Sequence, residues 1–370
     1  MTDDTQAMLE RFFEHNSHNV NRLRRSRRYR WIFAMSQKLQ RLYSESTKKH
    51  SLEEKNAALA AVVNAFEEGP VWRSIKWIDC AYDDISVFLH QHGGRKAIDH
   101  SEKSKDDYYS VAVIVKNEAR YIKEFILFYM VTGADRIYIY DNDSEDNLIE
   151  VIKPFTDSGF VVYRRWPGHA VQAAAYRDAI RRVRRRTKWL ALIDADEFLF
   201  PVEGSMPDQL RKYEKYPGVG VNWILFGPNG HVTRPEGLVM ENYTTVNANY
   251  DSVLNWHIKS IVQPRKVFCV YHPHFAVYKG REYAVDENYA VLDNTTTRAF
   301  SFHNKRDVFR INHYTTKSLE DLRIKCQRGF PDGSPNADFD NSLRPFDCPL
   351  AEDHVIMRYA DAVREIYGDY

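Results

Sequence analysis

Lys188-Trp-Leu-Ala-Leu-Ile-Asp-Ala-Asp-Glu-Phe-Leu-Phe200 lies near the middle of this 370-residue chain and joins an apolar run to a group of carboxylates. The apolar run predicts a buried β-strand. Because side chains alternate along a strand, Asp194 and Asp196 are expected to point the same way at its end. Two such carboxylates can share one hard divalent cation with ligand phosphates. An isolated Asp-x-Asp is also typical of a strand that simply surfaces into a loop, so the flanking sequence decides.

The sequence before this strand alternates predicted strands with predicted helices. Strands are predicted at 108–115, 136–140 and 159–163, and helices at 119–130, 148–156 and 172–186. In the first helix, apolar residues recur at a helical spacing, and Gly133 follows as a plausible cap. Strands separated by helices imply parallel strands joined by crossovers. We therefore predict an α/β fold with a Rossmann-like, mostly parallel sheet flanked by helices.

Polar residues follow three of these strands, at 116–118, 141–147 and 194–197. In open α/β sheets, ligands bind at the carboxyl ends of the strands, so this convergence predicts a nucleotide site. The chain has no Gly-x-x-x-x-Gly-Lys-Ser/Thr, and no Gly-x-Gly-x-x-Gly follows the first strand. Phosphate is therefore expected to be held by a metal and by side chains.

Taken in order, four motifs resemble the nucleotide-sugar domain of family-2-like and family-92-like glycosyltransferases, over about residues 108 to 330. The motifs are Val-Ile-Val-Lys-Asn-Glu at 113–118, Asp-Asn-Asp-Ser-Glu-Asp at 141–146, Gln172 with Tyr176-Arg177-Asp178, and Trp189 through Ile-Asp-Ala-Asp-Glu-Phe198. The resemblance implies a GT-A fold, an inverting transfer from a nucleotide sugar (a UDP-sugar is favoured) and a divalent metal, Mn²⁺ or Mg²⁺.

The resemblance also implies roles for single residues. Asp196 is expected to be the principal metal ligand, with Asp194 reaching the ribose or a metal-bound water and His313 completing the metal shell. Trp223 and His231 resemble acceptor-binding positions. The residues expected to contact the nucleotide are Asn117, Glu118, Asp141, Asn142, Asp146 and Asp194, with Lys259 and Arg265 as cationic candidates for the diphosphate.

Histidines and cations in the second half of the chain add to this site. A mixed carboxylate and imidazole shell suits manganese, which supports His313 as a ligand. The alternative for His313 is a hydrogen-bonded histidine at a helix start. Lys325 and Arg328, on the helix that follows, are expected near the diphosphate. His272 and His274 are expected to line or support the site.

The catalytic base is predicted less directly. Inversion needs a carboxylate that takes the proton of the acceptor hydroxyl. Glu236, Asp251, Asp332 and Asp338 are candidates, and we predict Asp332. It lies in the segment 329–338, whose composition is typical of a loop that closes over a ligand and excludes water.

The composition limits the classes of function and the cellular location that the sequence favours. The net charge of +1 gives no indication of nucleic-acid binding. Four scattered cysteines, an acidic first segment and no apolar run of roughly 20 residues favour a cytoplasmic protein with reduced thiols.

Three segments are expected: a helical N-terminal extension at 1–105, a GT-A catalytic domain at 106–345 and a C-terminal helical segment at 346–370. The basic run at 22–33 could lie on an anionic membrane surface or be a solvated helical face. A second basic run, Arg181 to Lys188, could meet an acidic acceptor or likewise be a solvated face.

Three functions follow from these patterns. The first is a metal-dependent glycosyltransferase of the hexosyltransferase type. It would act on a glycan or lipid-linked acceptor in the synthesis of a surface polysaccharide or lipooligosaccharide. The second is a nucleotidyltransferase with the same Asp-x-Asp metal site, although a glycine-rich basic segment after the first strand is missing. The third is a non-catalytic scaffold that binds sugar nucleotides, for which a disrupted metal set would be expected.

Overall fold

The computed structural model describes residues 106–169, 171–292, 299–301, 306–328 and 338–368. The predicted helical extension at 1–105, the basic run at 22–33 and Asp332 lie outside these ranges. No helix in the described part of the chain is long and apolar enough to cross a membrane.

Twelve strands and eight α-helices make up the described residues. The strands are β1 (Asp107–Val115), β2 (Arg136–Asp141), β3 (Val161–Arg165), β4 (Thr187–Leu192), β5 (Glu197–Pro201), β6 (Gly218–Leu225), β7 (Thr245–Asn247), β8 (Ile258–Val262), β9 (Val267–His272), β10 (Phe275–Tyr278), β11 (Phe309–His313) and β12 (Leu350–Glu352). The helices are α1 (Ala119–Val131), α2 (Leu148–Asp157), α3 (Gln172–Val183), α4 (Met206–Arg211), α5 (Val239–Asn242), α6 (Leu319–Arg328), α7 (Phe339–Leu343) and α8 (Ala360–Tyr367).

Eight strands form one sheet in the order β3-β2-β1-β4-β8-β6-β11-β5. The first four are mutually parallel, as the alternation of strands and helices predicts. β8 runs antiparallel to both β4 and β6, β11 is parallel to β6, and β5 is antiparallel to β11. Six strands therefore run in one direction. The α/β fold class is confirmed, with the mostly parallel sheet that the GT-A resemblance implies.

The sequence of β1 explains why it lies inside the sheet. Its side chains alternate between two cores: Val111 and Val113 pack in the core that includes α1 and α2, while Ala112 and Ile114 pack in the core that includes α3. A strand covered on both faces needs apolar residues at every position, which is the pattern of a central parallel strand. This arrangement fixes the carboxyl end of β1 between the ends of β2 and β4.

The region 257–275 contributes strands to two different sheets. β8 belongs to the large sheet, whereas β9 pairs antiparallel with β10. All five residues of β8 are buried, because the strand lies between two neighbours in the sheet. The local sequence does not contain this difference, since strand pairing depends on partners far away in the chain.

The described part of the predicted C-terminal helical segment, residues 346–368, is helical only in part. It begins with β12, which pairs antiparallel with β7, before a 3₁₀ turn leads into α8. Ile356, Ala360 and Val363 are buried in the same core as α1. The side chain of Arg310 on β11 also forms a buried ion pair with Asp353. This segment therefore packs into the core of the main domain.

A buried carboxylate joins α1 to α5. Glu124 accepts hydrogen bonds from the backbone N–H groups of Val239 (2.6 Å) and Met240 (3.1 Å), at the start of α5. Burial raises the pKa of Glu124 from 4.5 to about 7. Since the folded state binds this proton more tightly than the unfolded state does, the contribution of Glu124 to stability falls as the pH rises between these values.

We expect Glu124→Gln to remove this pH dependence. The free energy of unfolding of the wild type relative to the variant should fall by up to about 3 kcal/mol as the pH rises from 4.5 to 7. Denaturant unfolding at a series of pH values measures the difference. Glu150→Gln, an exposed position on α2, is the control and should leave the profile unchanged. Parallel profiles for the wild type and Glu124→Gln would contradict the assignment.

Candidate active site

The Asp-x-Asp motif lies in a turn and not on a strand, so the expected strand geometry is wrong. β4 ends at Leu192, and the N–H of Glu197 donates to the carbonyl of Asp194 at 3.1 Å, which closes a tight turn before β5. The directions of the two carboxylates are therefore set by the turn and by side-chain partners. They are not set by the alternation of a strand.

Both carboxylate oxygens of Asp194 are held by protein groups. Oδ1 accepts hydrogen bonds from Nε2 of Gln172 (2.6 Å) and the hydroxyl of Tyr176 (3.1 Å), both on α3. Oδ2 lies 2.6 Å from Nζ of Lys259 on β8. Asp194 is thus fixed in place by three side chains from two elements.

Lys259 lies beneath the turn as a buried cation. Its side chain has no solvent exposure, and Nζ also lies 3.5 Å from Oε2 of Glu197. Burial alone would lower the pKa of Lys259, but the adjacent carboxylates of Asp194 and Glu197 outweigh burial and raise it. Its expected contact with a diphosphate stays a prediction, since the structure places the ammonium group under the turn.

Glu197 is a site residue that the sequence analysis did not single out. Its Oε2 accepts the backbone N–H of Asp194 at 3.0 Å, and its Oε1 has no hydrogen-bond partner in the described part of the chain. Burial raises the pKa of Glu197 well above its usual value. The only sequence signal was its place directly after Asp-x-Asp.

Asp196 faces a different set of partners. Its Oδ2 lies 2.6 Å from Nζ of Lys325, and its Oδ1 lies 3.5 Å from Nε2 of His313 at the end of β11. Burial opposes ionisation, but the charge of Lys325 and the contact with His313 prevail and hold the pKa of Asp196 well below its usual value. Burial lowers the pKa of His313, which keeps its imidazole neutral near pH 7.

Helix α6 connects the ends of β4 and β1. Lys325 contacts Asp196, and one turn later Nη1 of Arg328 lies 2.7 Å from Oε1 of Glu118. Lys317, just before α6, places its Nζ 3.8 Å from Oε2 of the same glutamate. Sequence analysis anticipated Lys325 and Arg328 but missed Lys317, whose positive φ of 50° is not visible in the sequence.

The residues at the end of β2 that are predicted to bind the nucleotide are held in place by local hydrogen bonds. Asp141 accepts the N–H of Ser144 through Oδ1 and the hydroxyl of Tyr163 through Oδ2, at 2.9 and 2.8 Å. The side-chain amide of Asn142 donates to the carbonyl of Trp166 at 2.9 Å. Both side chains are buried, so they also shape the loop at this strand end.

Asn117 and Asp146 join the loops after β1 and β2. Oδ1 of Asn117 accepts the N–H of Glu145 at 2.7 Å, and Oδ2 of Asp146 accepts the N–H of Ala119 at 2.9 Å, at the start of α1. Asn117 has a positive φ of 54°, a conformation that asparagine tolerates better than most residues. Asp146 therefore caps α1, and its expected contact with a nucleotide stays a prediction.

Of the two predicted acceptor residues, Trp223 lies on β6 and His231 lies in the loop that follows this strand. The ring of Trp223 packs against His313 with centroids 4.6 Å apart and stacks on His257 at 4.9 Å. His231 contacts the carbonyl of Asn242 through Nε2 at 3.1 Å, and its own carbonyl accepts the N–H of Leu319. Trp223 thus lies beside the group formed by Asp196, His313 and Lys325, called the Asp196 cluster below. His231 contacts the start of α6.

The other candidate bases occupy different environments. Glu236 is almost fully exposed and lies 3.4 Å from Arg120. Asp251 is exposed, and Asp338 caps α7 by accepting the N–H of Asn341 at 2.8 Å. The predicted base, Asp332, lies outside the described residues.

Asp196 and His313 fit a divalent cation better than Asp194 does. They bring a carboxylate oxygen and an imidazole nitrogen within 3.5 Å, a ligand pair that suits manganese. Both oxygens of Asp194 are already committed to protein partners. Among the described residues, no group of three or more His, Cys, Asp or Glu side chains is arranged to hold a metal.

The fold and this cluster define an α/β domain with charged groups gathered at the carboxyl ends of its strands, where such domains bind ligands. The model of glycosyltransferase family 92 matches residues 108–325, more than half of the chain. The chain belongs to glycosyltransferase family 92.

Plant relatives carry the same family name. A family 92 protein of Oryza sativa subsp. japonica is 33% identical over 182 residues, which is 47% of this chain and 30% of the relative. One of Ricinus communis is 26% identical over 215 residues, 55% of this chain and 38% of the relative. The chain thus spans about a third of the length of these relatives.

Solved structures are similar only distantly. The Staphylococcus aureus protein TarS (residues 1–349), in complex with UDP-GlcNAc, is 12% identical with a TM-score of 0.33, over 59% of this chain and 65% of that one. Glucosyl-3-phosphoglycerate synthase of Mycobacterium tuberculosis is 16% identical with a TM-score of 0.23, over 34% and 46%. At these values the similarity adds nothing to the family assignment.

Lys259→Met tests the support beneath the turn. Loss of the ammonium group leaves Asp194 and Glu197 as adjacent buried carboxylates, and we expect the free energy of unfolding to fall by about 3–5 kcal/mol. Lys266→Met is the matched control, because Lys266 is partly exposed and its pair with Glu282 (3.4 Å) should contribute less than about 1 kcal/mol. Equal losses in denaturant unfolding would show that Lys259 has no special role.

Proposed function

We propose that this chain is a metal-dependent glycosyltransferase that moves a sugar from a nucleoside-diphosphate donor, a UDP-sugar, to a glycan or lipid-linked acceptor. Membership of family 92 supports the reaction class. Synthesis of a surface polysaccharide or lipooligosaccharide stays the expected setting. The observation that carries the proposal is the convergence of Asp196, His313 and the cations of α6 at the end of β4.

The charges of this cluster suit a diphosphate. Lys317, Lys325 and Arg328 carry three positive charges against two negative charges on Glu118 and Asp196, so one positive charge is left over. Positive groups held in place stabilise the charge that develops on a leaving diphosphate without having to reorganise. When a nucleotide sugar binds, Lys325 and Arg328 would exchange carboxylate partners for phosphate oxygens.

Asp196 and His313 would hold the metal. A bound divalent ion neutralises the charge of the diphosphate and so makes it a better leaving group. In this chain, Lys259, Gln172 and Tyr176 hold Asp194, which keeps the turn that carries Asp196 in one position. The neutral imidazole of His313 presents a free electron pair, as a metal ligand must.

Trp223 would form the acceptor side of the site. Its indole N–H donates to the carbonyl of Leu254 at 2.7 Å, which fixes the ring beside His313. A fixed aromatic face offers an apolar surface for a sugar ring. Asp332 is proposed as the base that takes the proton of the acceptor hydroxyl as it attacks the anomeric carbon, which inverts the configuration.

The other two functions receive less support. A nucleotidyltransferase would need a basic, glycine-rich segment after β1, and Lys116-Asn117-Glu118 is found there instead. A scaffold without activity would not need to keep Asp196 ionised beside a neutral histidine. Both alternatives remain outcomes of the experiments below.

Calorimetric titration with UDP, with and without Mn²⁺, tests the donor site. We expect binding that requires the metal, is abolished by EDTA and weakens at least tenfold in Asp196→Asn, because this change removes the charge and keeps the shape. Asp208→Asn, an exposed carboxylate on α4, is the control. Unchanged metal-dependent binding in Asp196→Asn would contradict the proposed ligand. UDP binding that does not require the metal would favour the scaffold, and absence of UDP binding would contradict a UDP-sugar donor.

Lys325→Met tests the role of α6. We expect the affinity for UDP to fall about tenfold, since one charged contact to phosphate is lost, while uridine binds as weakly as before. Lys153→Met, an exposed position on α2, is the control. Comparison of UDP with uridine separates the diphosphate contact from base recognition, and equal loss for both ligands would show that Lys325 acts by another route.

A further inference from the structure

The structure contains a cationic cleft near the amino end of β4, whereas the candidate active site lies at the carboxyl end of this strand. The cleft has a volume of about 600 Å³ and is lined by Arg184, Arg185 and Arg265. Arg184 and Arg185 directly precede β4, whereas Asp194 follows its other end. The six residues of β4 therefore separate the two places by about 20 Å of strand. A ligand in this cleft is not the ligand of the Asp196 cluster, and Arg265, which was expected beside the donor diphosphate, lies away from that cluster.

The guanidinium group of Arg265 is held at the end of α3. Its Nε donates to the carbonyl of Arg184 at 3.2 Å, and its Nη2 donates to the carbonyl of Arg185 at 3.0 Å. A cation is favoured at a helix C-terminus, which explains this placement. Two bonds leave further N–H donors of Arg265 for a ligand, since a guanidinium group carries five.

The charges of the cleft are not neutralised by protein carboxylates. None of the ion pairs in the described part of the chain involves Arg184, Arg185, Arg265 or the nearby Lys279. The carboxylates of the region have other partners: Asp178 pairs with Arg181 and Arg182, Glu214 with Lys188, and Glu282 with Lys266.

Two further observations indicate that the cleft concentrates positive charge. Nε of Arg184 is shielded from solvent and lacks a hydrogen-bond partner among the described residues. Nζ of Lys279 is tied to the carbonyl of Arg265 at 2.7 Å, and burial, together with the charge of Arg184, lowers the pKa of Lys279. A basic surface that only contacts solvent would not be expected to shield the Nε of an arginine or to gather three arginines around one cleft.

We propose that Arg184, Arg185 and Arg265 form a binding site for a phosphate group, distinct from the site for the nucleotide sugar. Several guanidinium groups around one cleft match the geometry of phosphate oxygens, which accept pairs of N–H donors. The phosphate belongs either to a small soluble compound or to the headgroup of an anionic lipid, and in the second case the site holds the domain against a membrane surface.

Binding to the full chain distinguishes these sources. Inorganic phosphate, titrated in a calorimeter, probes the soluble ligand. Co-sedimentation with vesicles of phosphatidylcholine alone, and of equimolar phosphatidylcholine and phosphatidylglycerol, probes the lipid. We expect one of the two to bind and the double variant Arg184→Ala/Arg185→Ala to lose at least tenfold in affinity, with weaker binding in high salt.

Lys153→Ala/Lys212→Ala is the matched control, because it also removes two positive charges, but from exposed positions outside the cleft. It should bind as the wild type does. Thermal melting identifies a variant that fails to fold, in which case Arg185→Ala alone replaces the double variant, since that side chain is exposed. Absence of binding to both probes, or an equal loss in the control, overturns the proposal. Metal-dependent UDP binding should persist in the double variant, which separates this test from that of the donor site.

Discussion

The buried ammonium group of Lys259 is the interaction on which the candidate active site depends. It places one positive charge between Asp194 and Glu197, two carboxylates that would otherwise repel each other in a medium of low polarity. Because both carboxylates belong to the turn after β4, this one charge fixes the turn, and the turn fixes Asp196. The position of Asp196, the predicted metal ligand, thus follows from a lysine that cannot itself reach solvent.

A division of roles between the two aspartates follows from this support. Asp194 is held by its three protein partners. Asp196 instead faces the long, flexible side chain of a lysine on α6 and a neutral imidazole. A side chain whose hydrogen-bond partners are fixed stabilises the local fold. A side chain whose partners can be exchanged is able to bind a ligand. The same contrast separates Asp146, which caps α1, from Glu118, whose partners Lys317 and Arg328 are cations.

Much of the first half of the fold could be predicted from the sequence, because β1 to β4 and their helices carry clear local periodicities. The polar strand ends were also visible, and so was His313 before α6. The turn at Asp194, the place of β8 inside the sheet and the burial of Lys259 could not be predicted. The last two depend on pairing between residues far apart in the chain, and a lysine between apolar residues reads equally well as exposed.

The turn at 194–197 has a mechanical consequence. It joins β4, in the middle of the sheet, to β5, at its far edge, so the sheet must curl until those two strands approach each other. The half that is expected to bind the nucleotide and the half that carries Trp223 are therefore joined directly by four residues at the candidate active site. A covalent link this short restricts hinge motion between the two halves, so changes at the candidate active site are expected in loops and side chains.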